Sequence, residues 1–259
     1  VPFRDELGYL MEGYFDTYEN FIKASSRQLV IPNTPEIQAE EKPVNTVVIG
    51  DVLFNLSKLG INFKLNEQQV NALNTIASWL KQPSTRTSNP FYTLVGYAGT
   101  GKTTIMRVLL AYIEQAMKVK NRFVKLAAPT HKAKMVLQNA TGMEAMTIHQ
   151  LLGLRADYNL DNYQTGDVDF NAAGSKLPIN QATFVIIDEV SMVNDNLIND
   201  ISAIAKDKGI KIILVGDKAQ LEPVNQGDVS IAFKNPNVVE LDKVERQKDS
   251  NPLLVMLDY

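Results

Sequence analysis

The sequence predicts an α/β domain, a parallel β-sheet with helices on both faces, and three observations carry that reading. From Leu65 onward, compact apolar runs (FYTLVG, RFVKLAA, TFVIIDE, IKIILVGD and NVVELD) alternate with helical stretches, and strands that lack a polar face are buried on both sides. The first run passes into a helix through the glycine-rich turn GYAGTGKTT. A later run, TFVIIDE, ends in two adjacent carboxylates, Asp188 and Glu189.

The elements follow in order. Residues 1–23 space Leu7, Leu10, Met11, Tyr14, Tyr18 and Phe21 three and four apart, an amphipathic helix that either packs on the main body or docks a protein partner. Residues 30–46, with three prolines, three glutamates and no period, read as a linker. A short apolar stretch, VVIGDVLFNLSKLGI, closes an N-terminal helical extension assigned to residues 1–64. The main domain, 65–259, opens with the helical LNEQQVNALNTIASWLKQ, N-capped by Asn66. Further helices are expected over 102–118, 131–140 and 194–206. Residues 154–181 are polar and too long for an ordinary connection, so they read as an insertion.

Composition bounds the function. The 259 residues are 45% hydrophobic, enough for a sizeable core. No apolar run approaches the roughly 20 residues that span a bilayer, and VPFRDELGYL lacks a signal layout. The expectation is a soluble, cytoplasmic chain with no membrane association. Without cysteine, and with His131 and His149 as its two histidines, the chain has no disulfide, thiolate nucleophile, cysteine-ligated zinc or histidine-rich metal site. A net charge of −3 weighs against binding nucleic acid through one broad basic face, though not through a narrow groove. The start at Val1 and the stop inside the helix-like NPLLVMLDY suggest a trimmed piece of something longer.

The glycine-rich turn fits G-x-x-x-x-G-K-[ST] through Gly96, Gly101, Lys102 and Thr103. Its backbone, with Ala98, Gly99, Thr100 and Thr104, is expected to wrap a phosphate chain, aiming N–H groups at the oxygens. Lys102 reaches the β- and γ-phosphates of ATP, and the Thr103 hydroxyl ligates Mg²⁺. Asp188 is expected to hold the same Mg²⁺, and Glu189 to orient and deprotonate the attacking water. Gln220, just past IKIILVGD, is expected to emerge on the edge that carries the phosphate turn. There it would sense the γ-phosphate, or else merely cap its own loop.

Taken together and in order, GYAGTGKTT, LAAPTHKAK, TIHQLLG, IIDEVSM, VGDKAQLEPV and LDKVERQ resemble motifs I, Ia, Ib, II, III and IV of superfamily 1 DNA helicases, RecD/Dda-like branch. The resemblance implies a RecA-like P-loop NTPase domain, the first motor domain of an ATP-dependent 5′–3′ helicase on single-stranded DNA. It makes Gln220 the residue coupling γ-phosphate to DNA, puts Arg246 on the γ-phosphate and, through LNEQQ, puts Gln69 on adenine. Pro129, Thr130, His131, Thr147 and His149 would line the strand path, with Lys132 and Lys134 adding positive charge. The insertion would be a small 1B-like pin hairpin, where Phe170 or Tyr163 stacks on a base at the fork or covers the hairpin's own core. The family also needs a second RecA-like domain, absent from this chain, so the fragment alone is expected to unwind nothing. The alternative is a nucleotide-dependent binding module without helicase activity. A GTPase-like switch fits poorly, because no N-K-x-D motif is present.

Overall fold

The computed structural model describes residues 45–154, 177–217, 219 and 231–244. The expected helix of 1–23, nearly all of the linker and of the insertion (with Tyr163 and Phe170), Gln220 and Arg246 lie outside the described residues. These fall in one compact unit that begins at Val44.

Six parallel strands form the sheet, in the order β5-β4-β6-β7-β3-β8. They are β3 (Phe91–Gly96), β4 (Val124–Ala128), β5 (Ala145–Thr147), β6 (Phe184–Ile187), β7 (Lys211–Asp217) and β8 (Val238–Leu241). Strand residues alternate between faces, and here each face has its own core. Tyr92, Leu94, Phe184, Ile186, Ile213 and Val215 join one apolar cluster with helices α1 (Glu67–Lys81) and α2 (Lys102–Gln115). Phe91, Val185, Ile187, Ile212 and Leu214 join the other, with α4 (Ile148–Leu152) and α5 (Asp195–Lys208). That double burial is why the strands read as unbroken apolar runs. β5, three residues long, was not expected; it extends the sheet beside β4, pairing Ala128 with Thr147.

Residues 45–63 differ from the reading that placed them in an extension. β1 (Thr46–Ile49) and β2 (Val52–Asn55) form an antiparallel hairpin. Its inward residues Val47, Ile49 and Phe54 are buried with Leu73, Ile76 and Tyr112 in the first core. The Phe54 and Tyr112 rings lie 6.2 Å apart. A four-residue strand carries too little alternation to announce itself, and the outward Val48 and Leu53 blur it further.

α1 is held at both ends. Asn66 and Gln69 form a capping box at its start. At its end the buried Lys211 amine, from the start of β7, donates to the carbonyls of Trp79 (2.5 Å), Leu80 (3.0 Å) and Gln82. Among the described residues no helix is long and apolar enough to cross a membrane.

Candidate active site

The parallel register brings the functional turns to one sheet edge. Gly96, last in β3, pairs with Asp217 of β7 and Leu241 of β8, and Ile187 of β6 pairs with Leu214 of β7. The glycine-rich loop, the Asp188–Glu189 pair and the turn after β7 therefore emerge side by side, as expected.

The loop needs its glycines. A Cβ on Gly96 would stand 2.6 Å from Thr100 Oγ1 and 2.9 Å from the Leu241 carbonyl. Gly99 and Gly101 adopt positive φ of 82° and 91°, which side chains disfavour. Thr100, fully buried, braces the loop by donating from Oγ1 to the Tyr97 carbonyl (2.9 Å). The helix that follows, α2, has no side-chain N-cap. α1, α5 and α3 (His131–Thr141) are capped by Asn66, Asn194 and Thr130. The first amides of α2 thus face the loop without a side-chain acceptor, the arrangement in which an anion completes a helix. Lys102 Nζ meanwhile donates back to the carbonyls of Gly96 (2.5 Å) and Tyr97 (3.0 Å), with Asp217 Oδ2 at 4.0 Å.

Asp188 Oδ1 accepts the Glu189 N–H at 3.0 Å. Burial pushes its carboxyl up to about 6, and the Glu189 charge adds to that; the Glu189 N–H and the Lys102 charge pull the other way. Glu189 itself sits at φ 54°, ψ 41°, a left-handed conformation that costs a non-glycine residue roughly 1–2 kcal/mol. Such strain persists where the surroundings enforce it, characteristically at reacting groups. No cluster of three or more histidines or carboxylates able to hold a metal exists among the described residues. One carboxylate and the exposed Thr103 hydroxyl instead suit a hard cation that keeps waters and phosphate oxygens as its other ligands.

Gln69 is placed differently from the base-contacting role expected of it. Its side chain is 1% exposed, with Oε1 accepting from Asn66 N and Nε2 donating to the Thr100 carbonyl at 3.1 Å. As the third residue of α1 it completes the capping box, and that geometry turns it in under the loop. Its neighbour Gln68 lines an open depression of about 720 Å³ with Lys64, Glu67, Asp242 and Lys243. Gln68 Oε1 accepts the Asp242 and Lys243 N–H groups at 3.0 and 3.1 Å. Sequence reasoning singled out Gln69 and passed over Gln68, although both glutamines of NEQQ were in view.

The residues expected along a strand path are brought together by β4–β5 pairing. Thr130 and His131 are exposed, His149 is half-buried, and Pro129 and Thr147 are buried. Thr130 Oγ1 accepts from Ala133 N (3.1 Å) and Thr147 Oγ1 from Gln150 N (3.2 Å), so both hydroxyls start helices.

Fold and site define a P-loop NTPase domain of the RecA-like class. A family model described as "AAA domain" matches residues 64–257, and the chain belongs to that family; within it, the chain is of the superfamily 1 helicase type to which RecD and Dda belong. It is 29% identical over 195 residues to the ATP-dependent DNA helicase dda of Enterobacteria phage T4, covering 73% of this chain and 41% of that protein. It is 30% identical over 191 residues to the ATP-dependent RecD2 DNA helicase of Deinococcus radiodurans, covering 73% of this chain and 23% of that one. The chain thus spans less than half the length of these relatives. Among solved structures, Pif1 helicase from Candida albicans shares the fold, with a TM-score of 0.50 and 24% identity over 76% of this chain and 44% of that chain.

Proposed function

We propose that this domain binds ATP with Mg²⁺ and hydrolyses it as the first motor domain of a 5′–3′ translocase or helicase on single-stranded DNA. The observation that carries the reading is the shared edge: an uncapped α2 behind a glycine loop, the Lys102 ammonium, and the Asp188–Glu189 pair on a neighbouring strand end. Mg²⁺, when bound, draws charge from the phosphate oxygens. Thr103 and Asp188 hold it, Lys102 neutralises phosphate, the loop amides orient the chain, and Glu189 accepts a proton from water. Gln69 acts by holding the Thr100 carbonyl, and the Gln68 depression receives the base. Gln220 and Arg246 are assigned to the γ-phosphate on motif grounds. Thr130, His131 and His149, with the backbone at Pro129 and Thr147, line a path gripping phosphate and sugar without reading sequence. Phe170 remains the candidate pin aromatic, and residues 1–23 the candidate docking helix.

The test is ATP turnover by the longest natural polypeptide containing this domain, with and without single-stranded DNA. Strong stimulation by DNA, abolished by Lys102→Ala, is expected. Turnover unchanged by DNA would leave a nucleotide-dependent binding module instead.

A further inference from the structure

Asp217 looks two ways. It ends β7 directly opposite Gly96, which ends β3. Its Oδ2 lies 4.0 Å from Lys102 Nζ, and both side chains are largely withdrawn from solvent, 13% and 16% exposed. Its Oδ1 accepts the Ala219 N–H at 2.9 Å, closing the turn that leaves the strand. The strand is tightly packed just before it, since a Cβ on Gly216 would stand 2.7 Å from the Phe233 ring. Lys102, at the same time, is drawn back onto the Gly96 and Tyr97 carbonyls. An ammonium so held must leave these partners before it can serve an anion in the loop.

We propose that Asp217 is a positioning residue that holds the Lys102 ammonium withdrawn while the phosphate site is empty. Through its second oxygen it ties the Asp217–Ala219 turn to the position of that lysine. This deepens the proposed function and rests on its nucleotide-binding reading. A phosphate chain carrying several negative charges outcompetes one carboxylate for the ammonium. Once the lysine has moved, Asp217 faces the phosphates unneutralised, and like-charge repulsion acts on the carboxylate that caps the turn. Occupancy thereby reaches the start of the segment after β7 through a single side chain. A carboxylate that merely capped its turn would have no reason to sit beside the loop's one lysine.

The experiment is equilibrium binding of Mg·ATP to the full chain, with thermal melting as a check on folding. Asp217→Asn keeps an acceptor for the Ala219 N–H and removes the charge. It is expected to bind ATP roughly threefold to tenfold more tightly than wild type, the range for losing one partly buried ion pair. Asp217→Ser, which also offers an acceptor, is expected to do the same. In a Lys102→Ala background the gain is expected to shrink to the part that comes from relieving repulsion between Asp217 and the phosphates, since no ammonium remains to be released. Equal or weaker ATP binding by a folded Asp217→Asn or Asp217→Ser, or a gain undiminished by loss of the lysine, overturns the proposal. Absence of ATP binding by wild type overturns the nucleotide reading itself, and with it this inference.

Discussion

Glu189 and Asp188 stand next to one another and are stressed in different ways. Glu189 is held at positive φ, so Glu189→Gly relieves backbone strain while deleting the carboxylate. The expected result is an empty domain more stable by about 1 kcal/mol in urea unfolding and devoid of turnover. Glu189→Gln keeps the shape and the strain, and is expected to bind ATP without hydrolysing it; full turnover in that variant discards Glu189 as the base. Asp188 is stressed by burial, which lifts its carboxyl from 3.8 to about 6. Between those values the folded chain holds more protons than the unfolded one, so stability falls as pH rises through the window. Above about pH 6 the cost is complete, on the order of 2–3 kcal/mol. Asp188→Asn is therefore expected to melt higher than wild type at pH 7, by an amount that disappears near pH 4. In the wild type, Mg²⁺-dependent nucleotide binding is expected to weaken below pH 6 as the carboxyl protonates. A variant no more stable at pH 7 removes burial as the cause.

Among the elements, the hairpin of residues 46–55 shows how packing overrules a weak local signal. Phe54 is 2% exposed against the α1–α2 core, so Phe54→Ala is expected to cost about 3–4 kcal/mol in a single cooperative transition. A separate, earlier transition would mean that the hairpin folds apart from the sheet. Strands β3, β4, β6 and β7 were legible because double burial writes itself as a nearly solid apolar run, and the edge strand β8, less buried, was legible from its two valines and Leu241. β5 was not, being three residues whose pairing depends on β4 lying beside them. The same division holds for the site. The loop glycines, Lys102 and the carboxylate pair are required by local chemistry and could be read directly. The inward turn of Gln69, the half-buried placement of Gln68 beside Asp242 and the approach of Asp217 to Lys102 follow from helix phase and strand register, which appear only on folding. The left-handed backbone of Glu189 had no signal at all, since no glycine marks it.

For the whole molecule, a net charge of −3 constrains how DNA is held. If the strand path runs past Thr130, His131 and His149 with Lys132 and Lys134 beside it, few phosphates are neutralised. Single-stranded binding is then expected to weaken with salt at a log–log slope of only about −1 to −2, near −0.7 per phosphate contacted. A slope steeper than about −4 would require a basic surface elsewhere. With the shallow slope, most of the grip resides in neutral hydrogen bonds and stacking, which tolerate salt and any sequence.

The uncapped start of α2 has a consequence of another kind. A helix whose first amides lack a side-chain acceptor leaves its opening turn open to solvent exchange until an anion arrives. In hydrogen–deuterium exchange, the amides of Lys102 to Thr104 should trade deuterium quickly in the empty protein and slowly once phosphate is bound. The capped starts of α1 and α5 should exchange at nearly the same rate in both states. Ligand and fold share that one turn of backbone, so a clock on its protons reads occupancy without a label, a substrate turnover or a partner.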